Sequence, residues 1–160
     1  MRPPTRKAGL NRFTWDLRYP GPETFEGMIL WSASSAGPFA VPGMYAAKVT
    51  VGAETQTVPF EVKIDPRLRN ATVADLQEQF DLAMQVRNAT STAHSTVGRI
   101  RGIRKDLLER EAKAKNKALS AEVAAALAKL SAVEEDLYQT KNRSGQDPLN
   151  FAIKLGNKLG

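Results

Sequence analysis

The residue pattern changes period at Pro66, and that change restricts the chain to folds in which a β part precedes a helical part. Before Pro66 lie most of the prolines and aromatics. After it lie Ala, Leu, Lys, Arg, Glu and Gln. The early part alternates with period two, the signature of a half-buried strand. Phe13, Trp15, Leu17 and Tyr19 share one face; Arg12, Thr14, Asp16 and Arg18 share the other. Pro20-Gly21-Pro22 stops this first predicted strand, and Met28–Trp31 reads as a short second one. Tyr45, Ala47, Val49 and Val51 line a third. Gly52-Ala53-Glu54 turns the chain, and Val58, Phe60, Val62 and Ile64 line a fourth. Pro59 cannot donate to a ladder, which places that strand at an edge or a bulge. Four strands with one apolar face make half a sandwich, which needs a cover.

From Thr72 the apolar spacing becomes helical. Thr72 is a fair N-cap, with Asp75 in the position of a capping-box acid. The stripe runs through Leu76, Phe80, Ala83, Thr90, Val97, Ile100, Arg104 and Leu107 and is weak between Arg87 and Thr96. Gly98 and Gly102 lie one turn apart, either for close approach of another backbone or simply tolerated. Lys113-Ala114-Lys115-Asn116-Lys117 reads as a polar connection. Ser120 then caps a second helix with a stripe at Val123, Leu127, Leu130, Val133 and Leu137, stopping near Asn142. At 1.5 Å per residue the helices would reach roughly 60 Å and about 30 Å. The start of the first, at Leu76, Phe80 and Met84, is therefore expected to lie uncovered by the second. Pro148–Leu155 reads as a lead-in to a third helix that has hardly begun when the sequence ends. A missing C-terminal piece or a second copy would supply the cover.

Few residues offer chemistry. Among 160 residues there is no cysteine and one histidine, which excludes disulfides, thiolate zinc sites and a Cys nucleophile. His94, beside Ser95, is expected to be a surface or half-buried polar residue rather than a catalytic base. Glu134-Glu135-Asp136 points in three directions around a helix and reads as a solvated face. No catalytic, cofactor or metal residue set emerges. The net charge of +6 admits an acidic partner, yet nucleic-acid binding is disfavoured. The basic residues Arg99, Arg101, Arg104 and Lys105 lack interleaved aromatics, and Arg99 and Arg101 lie about 200° apart on a helix. No apolar run approaches a membrane span, and no apolar stretch follows the basic start Met1–Lys7 as a signal peptide requires.

Several stretches occur together in a distinctive order: Ala8-Gly9-Leu10-Asn11-Arg12-Phe13-Thr14-Trp15-Asp16-Leu17-Arg18-Tyr19-Pro20, Ala36-Gly37-Pro38, Pro42-Gly43-Met44-Tyr45, Asp65-Pro66-Arg67, Asp75–Phe80 and Asn142–Phe151. This order resembles the C-terminal region of large bacterial proteins with sortilin-like, BNR-type β-propellers, commonly labelled glycosyl hydrolases or exo-sialidase-like. The resemblance implies an immunoglobulin-like β module followed by helices, in a protein that is usually exported. It also implies that any glycan chemistry belongs to propellers absent from this sequence, so no catalytic residue carries over. The resulting expectation is an α+β chain: a β-sandwich-like module at 1–66, then a helical hairpin with a partial third helix at 67–160. Its expected role is a non-catalytic accessory module, docking a propeller or other protein through Trp15 and Trp31. The alternatives are self-association through Leu76, Phe80 and Met84 and, less favoured, nucleic-acid binding. A glycosidase activity of the chain itself stands against this reading.

Overall fold

A computed structural model describes residues 7–114 and 116–160. The basic start Met1–Arg6 and Lys115 of the interhelical connection lie outside the described residues. The chain is α+β, with an antiparallel pair β1 (Gly43–Val51) and β2 (Glu54–Val62), then helices α1 (Val73–Ala114), α2 (Lys117–Leu137) and α3 (Leu155–Lys158). Two compact units divide it. One comprises Met1–Pro20 with Ala36–Gln85; the other comprises Gly21–Ser35 with Val86–Gly160. This division runs through α1, whereas the compositional boundary falls at Pro66.

In the first unit, β1 and β2 are joined by Gly52-Ala53, and Val51 faces Glu54. Gly52 has φ 61°, the left-handed conformation that the first position of a II′ turn requires. That turn sets the register and places Tyr45 opposite Phe60 and Ala47 opposite Val58.

Among the described residues the four-strand half-sandwich is reduced to this ribbon. The alternating run Phe13–Tyr19 makes only an isolated bridge, Arg18 to Phe39, because Leu17 sits at φ 60° and breaks the extended path. Met28–Trp31 forms no strand, since its backbone donors are used elsewhere. Ile29 N–H goes to the Tyr138 hydroxyl at 2.8 Å, and Trp31 N–H goes to Asn157 Oδ1 at 2.7 Å.

The helical part follows the predicted pattern more closely. Thr72 and Asp75 form the reciprocal box: Thr72 N–H donates to Asp75 Oδ2, and Asp75 N–H donates to Thr72 Oγ1. α1 spans 42 residues and α2 spans 21, or about 63 and 32 Å. The second helix starts earlier than Ser120 because Asn116 caps it, accepting from Ala118 N–H at 3.0 Å. It stops at Leu137 rather than Asn142, with Tyr138 already extended at φ −141°. The tail forms a short 3-10 turn at Asp147–Leu149 before α3.

The core of the second unit includes Thr90, Ala93, His94, Val97 and Ile100 of α1 with Val123 and Glu134 of α2, Tyr138 and Asn142. Thr90, Ala93 and His94 fall in the stretch where the apolar stripe is weakest, and they are nevertheless buried. Two expectations are corrected here: His94, expected at the surface or half-buried, is 2% exposed, and Glu134, expected on a solvated face, is 1% exposed. Among the described residues, no helix is long and apolar enough to cross a membrane.

Candidate interaction surface

The first unit gathers aromatic rings on one face of the ribbon. Tyr45 and Phe60 are cross-strand partners with ring centroids 6.0 Å apart. Trp15 lies against both, at 5.6 Å from Tyr45 and 6.0 Å from Phe60, in the tilted and edge-on arrangements that ring quadrupoles favour. Phe13, Leu17 and Tyr19 complete the walls of an open groove of about 700 Å³, floored by Tyr45, Ala47 and Phe60.

The groove's polar tips are already engaged within the unit. Trp15 Nε1–H donates to Arg18 O at 2.8 Å, and the Tyr45 hydroxyl donates to Val41 O at 2.7 Å. Arg18 Nη1–H donates to Gly37 O at 2.7 Å, while its guanidinium lies 3.6 Å from the Phe39 ring centroid. Burial, reinforced by neighbouring Tyr19, pushes the Tyr45 phenol above its ordinary value, so it remains a neutral donor. What the groove offers a ligand is therefore mainly apolar surface. Beyond it, the same face of the ribbon continues through Val49, Val51 and Val58, which are 57%, 74% and 49% exposed.

Gly37 anchors the wall. A Cβ there would stand 1.9 Å from Tyr19 O, so only glycine allows the two segments to approach. Tyr19 N–H to Pro38 O at 2.9 Å and Ala40 N–H to Leu17 O at 2.7 Å depend on that approach.

The residues expected at an interface are distributed as follows. Trp15 is central to the groove. Leu76 and Phe80 of α1 are half-buried by their own chain: the Phe80 ring lies 4.9 Å from Tyr19, and both residues wall a cavity of about 200 Å³ with Arg18, Phe39, Val41 and Pro42. Part of the cover at Leu76 and Phe80 thus comes from residues 18–19 and 38–42 of the same unit. Met84 is half-buried and lines neither space. Trp31 belongs to the second unit, where Asn157 bonds its backbone on both sides, accepting from its N–H at 2.7 Å and donating to its carbonyl at 2.9 Å. Tyr45 and Phe60 were legible as members of their strands' apolar faces, but not as partners, because the turn read as Gly52-Ala53-Glu54 and is one residue shorter. Arg18 was not legible, because alternation assigns it to the outer face.

Among the described residues, the buried polar side chains Thr90, His94, Glu134 and Asn142 all belong to the second unit. Glu134 Oε1 accepts from Arg101 Nε–H at 2.9 Å, and Oε2 lies 2.9 Å from Arg104 Nη1 as an ion pair without good hydrogen-bond alignment. Arg101 also covers the Phe25 and Tyr138 rings, at 4.7 and 5.2 Å. His94 Nδ1 lies 2.7 Å from Glu23 O; a carbonyl only accepts, so Nδ1 carries the proton. Its Nε2 is buried and makes no hydrogen bond, with Gly156 packed against that edge of the ring. No described hydroxyl or carboxylate is bonded to Nε2, and no group of described residues could hold a metal ion. Phe25, unremarked in the sequence, packs edge-on to both His94 and Tyr138.

No family model, curated protein or solved structure matches the chain.

Proposed function

We propose that this chain is a non-catalytic accessory module that docks another protein through the Trp15 groove and the apolar face of the ribbon. The carrying observation is the groove itself: wide, open and aromatic, with its indole N–H, Tyr45 hydroxyl and Arg18 guanidinium all turned to the chain's own carbonyls. An apolar protein surface fits such a lining. A sugar, which must exchange its water for hydrogen bonds, finds the principal donors occupied. The resemblance of its sequence order to the C-terminal regions of sortilin-like propeller proteins makes a β-propeller the partner of choice. The helical stripe is set aside as the docking surface because Phe80 is packed on Tyr19.

The two tryptophans lie in different units, so each can report separately. In a Trp31→Phe background, titration of a sortilin-like propeller domain should shift Trp15 emission to the blue and saturate. Val49→Lys with Val51→Lys, both at exposed positions, should weaken binding by about tenfold or more, roughly 1.4 kcal/mol, with the chain's melting temperature little changed. A response to oligosaccharides with none to the propeller would overturn the reading, as would hydrolysis of glycosides by the purified chain.

A further inference from the structure

We infer that the outer edge of β1 receives an extended strand of the partner, apolar at alternate positions and acidic at its flanks. This rests on the docking reading above and specifies how docking occurs.

The two-residue turn decides which backbone groups are free. Val51 and Glu54 close the hairpin as a hydrogen-bonded pair, so Val51, Val49, Ala47 and Tyr45 direct their N–H and C=O toward β2. Met44, Ala46, Lys48 and Thr50 direct theirs outward, and no described hydrogen bond uses those backbone groups. The outer edge of β2 is different. Its outward residues include Pro59, which has no N–H to offer, so a continuous ladder is interrupted there. β1 is thus the edge with an unbroken set of donors and acceptors, and it borders the groove, which Tyr45, Ala46 and Ala47 line. A strand added there places every second side chain toward the aromatic floor. It also converts a two-stranded ribbon into a three-stranded sheet, the smallest assembly that is generally stable with an apolar face.

Charge selects the occupant. β1, which the added strand would adjoin, carries Lys48 and no acid, and the ribbon's acids, Glu54 and Glu61, lie on β2. Residues 7–19 add Lys7 and Arg12, with Arg18 already turned to Gly37 O, against the acid Asp16. That acid is engaged, with Oδ1 accepting from Arg18 N–H at 3.1 Å. A second copy adding edge to edge would bring Lys48 near its counterpart, which like charges oppose. An acid-flanked strand from a different protein meets no such penalty and gains from Lys48 on the edge it joins.

The test uses a synthetic nine-residue peptide with valine and threonine alternating between paired glutamates, added to the full chain carrying Trp31→Phe. Trp15 emission and amide hydrogen exchange are followed together. Saturable binding should slow exchange at Met44, Ala46, Lys48 and Thr50 and leave Thr55, Thr57 and Glu61 unchanged. Lysine flanks in place of glutamates should weaken binding by about tenfold at low salt, a difference that shrinks as salt screens it. Ala46→Pro, which removes an outward N–H and none bonded to β2, should abolish peptide binding. Protection on β2, equal affinity for the lysine-flanked peptide, or concentration-dependent protection of β1 without peptide would each overturn the inference. If the propeller domain still binds the Ala46→Pro chain, strand addition fails and docking stands. If neither peptide nor propeller binds the parent chain, both readings fall.

Discussion

Glu134 offers the sharpest test of the second unit's energetics, because its carboxylate is buried while its partners are not. Its side chain is 2% exposed, against 36% for Arg101 and 31% for Arg104. Each carboxylate oxygen has one cation at 2.9 Å. Replacing Arg104 with Met leaves one oxygen without its cation, at a cost near the lower end of about 1–3 kcal/mol, since a third of the lost partner was solvated. Replacing both arginines strands the whole charge in the core and should cost about 3–5 kcal/mol, more than the two single changes added. Glu134→Met goes the other way. The guanidinia retain access to water, Arg101 keeps its stacking on Phe25 and Tyr138, and Arg104 keeps its 3.0 Å bond to Ser131. Its cost should be about 1 kcal/mol. Urea unfolding followed by Trp31 in a Trp15→Phe background isolates the unit. At an m-value near 2 kcal/mol/M, the double arginine variant should lose about 2 M in midpoint and Glu134→Met about 0.5 M. If Glu134→Met proves as damaging as the double arginine change, the reasoning from unequal burial is refuted.

Three further outcomes are expected. Gly37→Ala should destabilise the first unit by about 3 kcal/mol, since its Cβ meets the Tyr19 carbonyl; loss of Trp15's folded emission at lower urea is the readout. Gly98→Ala and Gly102→Ala should each stabilise by about 1 kcal/mol in thermal melts, because a Cβ at Gly98 makes ordinary 3.8 Å contact with Phe25 and one at Gly102 meets nothing. Asp147 accepts from Arg143 N–H and Ser144 N–H, which hold its carboxyl below the usual range. Its contribution is therefore full above an unfolded value of about 4 and disappears as pH falls through the lower folded one. Asp147→Asn should lower the melting temperature at neutral pH and converge with the parent chain in acid; a constant gap at all pH would contradict this.

Much of the helical part was legible because its signals are local. Thr72 and Asp75 form a box from residues three apart, and Thr90, Val97 and Ile100 are buried as their spacing predicts. Even Glu134 had a signal: Val123, Leu127, Leu130, Glu134 and Leu137 alternate steps of four and three, whereas Val133 would put two steps of three in succession and is 48% exposed. Hydrophobicity had argued for Val133; the spacing argued for its neighbour. In the site, the two strands and their apolar faces follow from alternation, but the register does not: Gly52-Ala53-Glu54 reads as the turn, whereas Glu54 already pairs with Val51 and so sets Tyr45 opposite Phe60.

The remainder depended on contacts distant in sequence. Phe13–Tyr19 has a strand's alternation, but its conformation turns on Leu17 and on the approach of Gly37 to Tyr19. Met28–Trp31 has a strand's composition, but Tyr138 and Asn157 take its backbone donors. Which residues share a period is written in the chain, because period follows from backbone geometry alone. Which polar groups satisfy one another in the core, and where Trp15 comes to rest, was decided only by the tertiary structure, because those partners become neighbours only after the chain has folded.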